Sequence, residues 1–164
     1  MADATDILSA VKTALEALYP DVPVRVSKRG ATDGRNLRAG WQSGYPAPCF
    51  VVSCDGAEEV DRRPSFRYVS VGYPVLIEYV KPAQAKVPGA LDAGAPAVVE
   101  DPDVRAKRAA LRGALYKPTL AGAPAVYDVR HQARPVYEQV TDSGATLLVS
   151  GEQFVWTATE PRPH

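Results

Sequence analysis

Residues 68–81 constrain the fold of this chain more than any other stretch, because apolar residues recur there at every second position. Residues two apart in a β-strand lie on the same face of a sheet. The odd-numbered positions are all apolar, and they are Val69, Val71, Tyr73, Val75, Ile77 and Tyr79. The pattern predicts one long strand with an apolar core face and a partly covered second face. Pro74 has no N–H to donate, so we expect it at a bulge or on the unpaired side of an edge strand.

The length and net charge of the chain limit the kinds of protein that it can be. A chain of 164 residues can bury one core without disulfides or metals, which predicts a single domain. The formal net charge is +0, so no overall field favours nucleic acid or an acidic membrane. The first residues lack the pattern of a signal peptide, and no apolar run approaches the roughly 18 residues that span a bilayer. We therefore expect a soluble protein made in the cytosol, with no membrane partner.

The periodicity of apolar residues and the turn signals predict four more strands and a helix. A helix is predicted over residues 5–19, followed by a short edge strand at 22–27 and a central strand from Cys49 to Cys54. Alternating strands are predicted at 126–140 and 145–159, joined by a hairpin turn at 141–144. We interpret Gly151 as a bulge that shifts the apolar phase of the last strand.

The same alternation assigns residues to faces. In the 126–140 stretch one face is predicted to carry Tyr127, Val129, His131, Ala133 and Tyr137. The apolar face of the sheet, covered by both helices, is predicted to consist of Val71, Tyr73, Val75, Ile77, Val129 and Val149.

The second helix has explicit start and stop signals. Asp101 is placed as its N-cap, Pro102 at its first position and Asp103 in its first turn, and Pro118 closes it. Val104, Leu111 and Leu115 give it a narrow apolar stripe. A basic ridge recurs at positions i, i+3 and i+7, consisting of Arg105, Arg108 and Arg112. Such a ridge is usually solvated, and the alternatives are phosphate or an acidic neighbour as its partner.

Two long loops interrupt the pattern, at residues 28–48 and 82–101. The first alternates glycines with basic residues and holds Trp41 and Tyr45, which need something to cover them. One interpretation is that these two rings fold back on the surface of the domain. The other is that they contact another subunit, because Trp, Tyr and Arg are enriched at interface hot spots. The second loop is rich in Ala, Pro and Gly.

The sequence offers little material for catalysis or metal binding. It has two histidines and two cysteines. Cys49 and Cys54 point to opposite faces of one strand, so they cannot bridge each other and are expected as small hydrophobes. No zinc-ligand spacing and no nucleophile–base pair is present. We therefore predict a non-enzyme without catalytic, cofactor or metal residues, and His131 as a core or interface histidine.

Together these elements predict the α+β class: a mainly antiparallel sheet of about five strands flanked by two helices, in the order α-β-β-β-α-β-β. This order resembles the tail terminator (tail completion) proteins of tailed bacteriophages. Three stretches contribute to the resemblance. They are the segment from Ile7 to Leu18 followed by Val-Pro-Val, the Asp101-Pro-Asp-Val start of the second helix, and the final Phe-Val-Trp-Thr-Ala-Thr strand. The two long loops depart from the shorter family pattern.

The resemblance implies a non-enzymatic virion structural protein. Its subunits would form a hexameric ring that caps the tail tube and joins it to the head or neck. The implied partners are other copies of the chain, the tail tube protein and a neck or head-completion protein, with DNA passing through the lumen without specific binding. The implied location is the virion, assembled in the host cytoplasm.

A ring needs two complementary surfaces on each subunit. The candidate interface residues are basic or aromatic on one side, namely Arg29, Arg35, Arg38, Trp41, Tyr45, Arg105, Arg108 and Arg112, and acidic on the other, namely Glu58, Glu59 and Asp61. Two alternatives stay open. One is another virion or nucleic-acid-binding module that uses the loop from Lys28 to Arg38 and the basic ridge, and the other is a small enzyme of unknown type.

Overall fold

The structure is a computed structural model that describes residues 4–26, 48–54, 58–59, 68–82, 101–140 and 146–161. Its helices are α1 (Ala4–Leu18) and α2 (Pro102–Leu115). Its strands are β1 (Val24–Val26), β2 (Cys49–Cys54), β3 (Glu58–Glu59), β4 (Tyr68–Pro82), β5 (Val126–Ala133), β6 (Tyr137–Val140) and β7 (Thr146–Pro161). All described strands belong to one sheet whose main order is β1-β2-β4-β7-β5, with β3 beside β4 and β6 beside β7.

The predicted fold class is confirmed. The main path of the sheet has five strands, two helices accompany it, and without the short strands β3 and β6 the element order is α-β-β-β-α-β-β. The β1–β2 pair is parallel and the other strand pairs are antiparallel. The predicted placements of β1 at an edge and of β2 in the interior are also confirmed.

The long strand β4 is the centre of the sheet, and this corrects the prediction for Pro74. β4 pairs with β7 from Tyr68 to Pro82 without a register shift, and Pro74 stands opposite Val155. The predicted edge position is therefore wrong, and the β4–β7 ladder has no bulge at Pro74. On the other side of β4, β2 pairs with residues 75–80 and β3 with residues 71–72. Pro74 lies between the residues of β4 that pair with β2 and those that pair with β3. Its missing N–H therefore removes no hydrogen bond from either of these described pairs.

Both helices pack on the same face of the sheet. The main core joins the apolar stripe of α1 and that of α2 to the odd-numbered residues of β4 and to Phe154 and Trp156 of β7. The predicted core residues Val71, Tyr73, Val75 and Ile77 are all buried there, and Val129 packs against them partly buried.

The prediction for Val149 and Gly151 was wrong. Val149 stands opposite Val80, and with Cys49 and Leu147 they form a second apolar cluster on the other face of the sheet. Gly151 pairs with Glu78 in continuous register, so β7 has no bulge toward β4 at this position. The alternation of apolar residues in β7 shifts from odd to even positions along the strand. It shifts because the two ends of β7 bury their apolar side chains on opposite faces of the sheet.

Cys49 and Cys54 form no disulfide bond, as predicted. Cys49 belongs to the second cluster, whereas Cys54 packs against the main core on the opposite face. Burial raises the pKa of the Cys49 thiol to about 11, against the opposing charge of Arg25. Cys49 is therefore a protonated hydrophobic side chain at neutral pH.

The predicted strand at 126–140 is two strands, β5 and β6, separated by residues 134–136. A register shift between Val126 and Asp128 makes Tyr127 the extra residue of a bulge. Tyr127 is therefore exposed, and its hydroxyl donates a hydrogen bond to Ser70 Oγ over 2.7 Å. Its predicted place on the core face with Val129 was wrong, and Ala133 is exposed as well. The predicted hairpin turn and almost all of both long loops lie outside the described residues.

Candidate functional site

A fully buried carboxylate, that of Glu152, lies beneath α2 on the helix-covered face of the sheet. Glu152 stands opposite Ile77 in the β4–β7 ladder, and its side chain is 0% exposed. The Arg108 Nε atom donates to Glu152 Oε1 over 2.7 Å, and the Nε2 atom of His131 is hydrogen-bonded to Glu152 Oε2. Arg112 Nε lies 3.7 Å from Oε1. An unpaired buried carboxylate would be costly, so α2 and β5 together make this one tolerable.

Arg108 connects three parts of the chain through one guanidinium group. Besides binding Glu152, its Nη2 atom donates to the backbone oxygen of Arg134 over 2.7 Å and approaches that of Gly151 at 3.4 Å. Its side chain is only 16% exposed. The guanidinium therefore joins α2 to β7 and to the segment that follows β5, and a planar group with several fixed donors suits this task.

His131 is fixed by aromatic rings as well as by Glu152. Its imidazole lies between the rings of Tyr116 and Phe154, with centroids 5.6 and 5.0 Å away. The histidine is half-buried, in agreement with the prediction of a satisfied core or interface residue. In this arrangement it positions and compensates Glu152.

A second polar cluster fixes the N-terminus of α2 to β4. The Asp101 carboxylate accepts hydrogen bonds from the backbone N–H groups of Asp103 and Val104 at 2.9 and 3.1 Å, which confirms it as the N-cap. The same carboxylate pairs with Lys81 of β4 at 3.0 Å. The N-cap therefore also ties the helix to the end of the central strand.

Asp103 is the second acidic residue of this cluster. It accepts hydrogen bonds from Tyr79 at 2.7 Å and from Lys107 at 2.8 Å. Burial alone would raise the pKa of Asp103, but these two donors, the charge of Lys107 and a hydrogen bond from Lys81 outweigh it and lower the pKa to about 2. Burial and the Asp103 carboxylate raise the pKa of Tyr79. Lys107 also lies over the ring of Tyr19, 4.5 Å from its centroid, and so reaches the end of α1.

The structure separates the predicted basic ridge into two kinds of residue. Arg105 is exposed and Arg112 is 51% exposed, while Arg108 is taken up by Glu152. Of the acidic candidates, Glu58 and Glu59 form β3 and pair with Gly72 and Val71. The remaining candidates lie outside the described residues; they are Arg29, Arg35, Arg38, Trp41, Tyr45 and Asp61.

The strand order places α2 and β3 on opposite sides of the central strand. α2 packs on β7, whereas α1 packs on β1, β2 and β4. β3 pairs with β4 on the side that β2 occupies, away from β7. The helix that carries the exposed Arg105 and the backbone of β3 therefore lie toward different sides of β4.

Within the described ranges, no group of three or more His, Cys, Asp or Glu side chains could hold a metal ion. No described helix is long and apolar enough to cross a membrane. The Glu152 cluster beneath α2 and the Asp101–Asp103 cluster at the N-terminus of α2 consist of charges that neutralise one another within the subunit. Their geometry is that of anchors for the helix.

Sequence reasoning missed Glu152 as the partner of Arg108. The signal was present, because counting back by two from Trp156 and Phe154 places Glu152 on the core face. The bulge assigned to Gly151 hid this phase. Comparison of the chain with models of known protein families gives no match, and comparison with curated proteins gives no matching sequence either.

Proposed function

We propose that this protein is a tail terminator (tail completion) subunit of a tailed bacteriophage, which assembles head to tail with copies of itself into a hexameric ring. The ring would cap the tail tube and join it to the head or neck, with no enzymatic step. The order and patterning of the elements support this, as does the position of β3, whose sequence is Glu58-Glu59, on the side of β4 away from β7. A closed head-to-tail ring requires two different, complementary surfaces on each subunit.

The first surface, here called the basic surface, consists of Arg105, Arg112 and Tyr116. Arg105 is exposed on α2, Arg112 is 51% exposed although its Nε lies 3.7 Å from Glu152 Oε1, and Tyr116, which follows the helix, is 54% exposed. Arginine and tyrosine are the residue types most enriched at interface hot spots. Arg108 contributes to the position of this surface without taking part in it, because its guanidinium is bound to Glu152.

The second surface is the acidic strand β3, formed by Glu58 and Glu59. Its backbone pairs with β4 at residues 71–72, beyond the end of β2. In a ring each basic surface would meet the acidic strand of the next subunit. The chain as a whole is neutral, so such a contact neutralises charge at every interface without leaving a charged assembly.

Other predicted contacts complete the proposal. The arginines and aromatic residues of the first long loop, Arg29, Arg35, Arg38, Trp41 and Tyr45, remain candidates for contact with a neighbouring subunit or with the tail tube and neck proteins. The ring would act in the virion after assembly in the host cytoplasm, and DNA would pass through its lumen without specific binding.

Charge-swap variants test the ring by sedimentation velocity and negative-stain imaging. Arg105→Glu/Arg112→Glu and Glu58→Arg/Glu59→Arg should each abolish the ring, because each creates like-charge contacts at every interface. A chain that carries all four substitutions should form it again. The control, Lys12→Glu/Glu16→Lys, exchanges an exposed ion pair on α1 and should leave assembly unchanged. A wild-type chain that forms no ring, or a four-residue swap that restores none, contradicts the proposal.

The exposed arginines also admit a nucleic-acid-binding module as a second candidate. If Arg105 and Arg112 bind phosphates, affinity for DNA should fall steeply with salt, and Arg105→Ala/Arg112→Ala should flatten that slope. Unchanged assembly together with salt-sensitive DNA binding that this variant loses would favour the second candidate. The neutral net charge favours the ring.

A further inference from the structure

The outer edge of β5 is an exposed strand edge with a self-complementary sequence. β5 ends the strand order, and among the described residues it pairs with β7 alone. Its eight residues alternate between half-buried Val129 and His131 and exposed Asp128, Arg130 and Gln132. An edge of this length presents unpaired backbone groups that can bind another strand.

One hydrogen bond shows which backbone groups point outward. The N–H of Arg134 donates to the backbone oxygen of Gly151 in β7 over 3.0 Å. Backbone groups of residues two apart in a strand point to the same side, so those of Gln132, Arg130 and Asp128 also point toward β7. The groups of Val129 and His131 therefore point away from the sheet, toward solvent.

We propose that β5 pairs antiparallel with the β5 of a second copy of this chain, around a twofold axis at Val129. In this register Val129 stands opposite the second copy's Val129, and their outward backbone groups bond to each other. Asp128 then stands opposite the second copy's Arg130, and Arg130 opposite the second copy's Asp128. These are non-hydrogen-bonded positions, where Cα atoms approach to about 4.5 Å and side chains lie closest. Cross-strand pairs of opposite charge stabilise such a contact.

The charges select this register over its neighbours. An axis at Arg130 would set the two arginines directly opposite each other, which is unfavourable. An axis at His131 would set Arg130 opposite Gln132 and leave Asp128 facing Arg134, which lies beyond the strand and is already hydrogen-bonded to Gln153. Only the axis at Val129 gives two ion pairs within the strand.

The pairing goes beyond the proposed ring and differs from it in symmetry. The ring contact is head to tail and joins α2 of one subunit to β3 of the next. The β5 contact is isologous, because it joins β5 of one subunit to β5 of a second copy. The two contacts occupy different surfaces of the subunit. Neither ring surface includes Asp128 or Arg130, so variants at these two residues test the β5 contact separately from the ring, and the two failures can be told apart.

Sedimentation velocity of the full chain carrying Arg105→Glu/Arg112→Glu tests the inference, because those substitutions remove the ring contact. This chain should change from monomer to dimer as its concentration rises. Adding Asp128→Arg or Arg130→Asp should weaken the dimer at least about tenfold, because each turns both cross-strand ion pairs into repulsive pairs. Adding both should restore it. The matched control, Lys12→Glu/Glu16→Lys, should leave the dimer unchanged.

Disulfide cross-linking checks the register independently. In wild-type background, Asp128→Cys/Arg130→Cys places each new cysteine opposite one from the second copy, at about 4.5 Å between Cα atoms and within disulfide range. With oxidised glutathione this variant should form a covalent dimer on a non-reducing gel, whereas Asp128→Cys alone should not, since residue 128 does not face itself. A chain that stays monomeric at every concentration, a charge swap that restores no dimer, or equal cross-linking by the single variant overturns the proposal.

Discussion

Replacing Arg108 with alanine should cost this fold about 3 kcal/mol, although the residue belongs to a helix surface that the sequence marks as basic and solvated. Glu152 is 0% exposed, and Arg108 is its principal charged partner at 2.7 Å. Removing one member of a buried ion pair typically costs 3–5 kcal/mol, because it leaves a buried charge uncompensated. His131 still binds the other carboxylate oxygen, which places the expected loss at the lower end of that range.

Urea unfolding followed by circular dichroism measures this loss as a lower midpoint at an unchanged slope. The matched control is Arg105→Ala, one turn earlier on the same helix and exposed, which should stay within about 0.5 kcal/mol of wild type. Adding Glu152→Gln to Arg108→Ala should recover part of the loss, because the buried group is then neutral. If Arg108→Ala costs no more than Arg105→Ala, or if the two substitutions simply add, then Glu152 does not depend on Arg108.

Three further outcomes follow from the core and from the N-terminus of α2. Ile77→Asp should abolish folding, since it buries an unpaired charge in the main core, and a soluble variant with cooperative unfolding would contradict the β4 register. Asp101→Ala should lower the unfolding free energy by more than about 1 kcal/mol, the contribution of an N-cap, because it also removes a partner of Lys81, while Asp101→Asn should keep the cap contribution in the same urea titration. The pKa of Asp103 is lowered from 3.8 to about 2, so its contribution to stability is complete above pH 3.8 and disappears as pH falls toward 2. Asp103→Asn should show a shallower loss of stability across that acid range, and an identical pH profile would refute this role.

Local patterns were enough to predict most of the fold. The period-two alternation of β4 identified its core face, and Val71, Tyr73, Val75 and Ile77 are buried there. Asp101 and Pro102 marked the start of α2 because capping depends on residues adjacent in sequence. Where one face of one element decides burial, the sequence alone is informative.

The errors arose where tertiary partners decide the outcome. Val149 is apolar and buried, but on the other face of the sheet, because Cys49 and Val80 provide an apolar surface there. Pro74 was expected at a bulge or an edge, since nothing local reveals that β4 lies inside the sheet with its described β2 and β3 pairs on either side of Pro74. The Arg108–Glu152 pair joins residues 44 positions apart, so neither residue alone indicates the other.

These long-range ion pairs also bear on how α2 keeps its position. Its buried apolar residues are Val104, Leu111 and Leu115, and its other inward positions carry small side chains that specify orientation weakly. Polar anchors supply the missing specificity at two points, Asp103 at the first turn and Arg108 one turn further along. Because Arg105 and Arg112 lie on either side of Arg108 along the helix, the buried pair fixes the direction in which the basic surface faces. A weakened Arg108–Glu152 pair should therefore impair ring assembly even at temperatures where the subunit stays folded, which separates the role of Arg108 from that of the exposed arginines beside it.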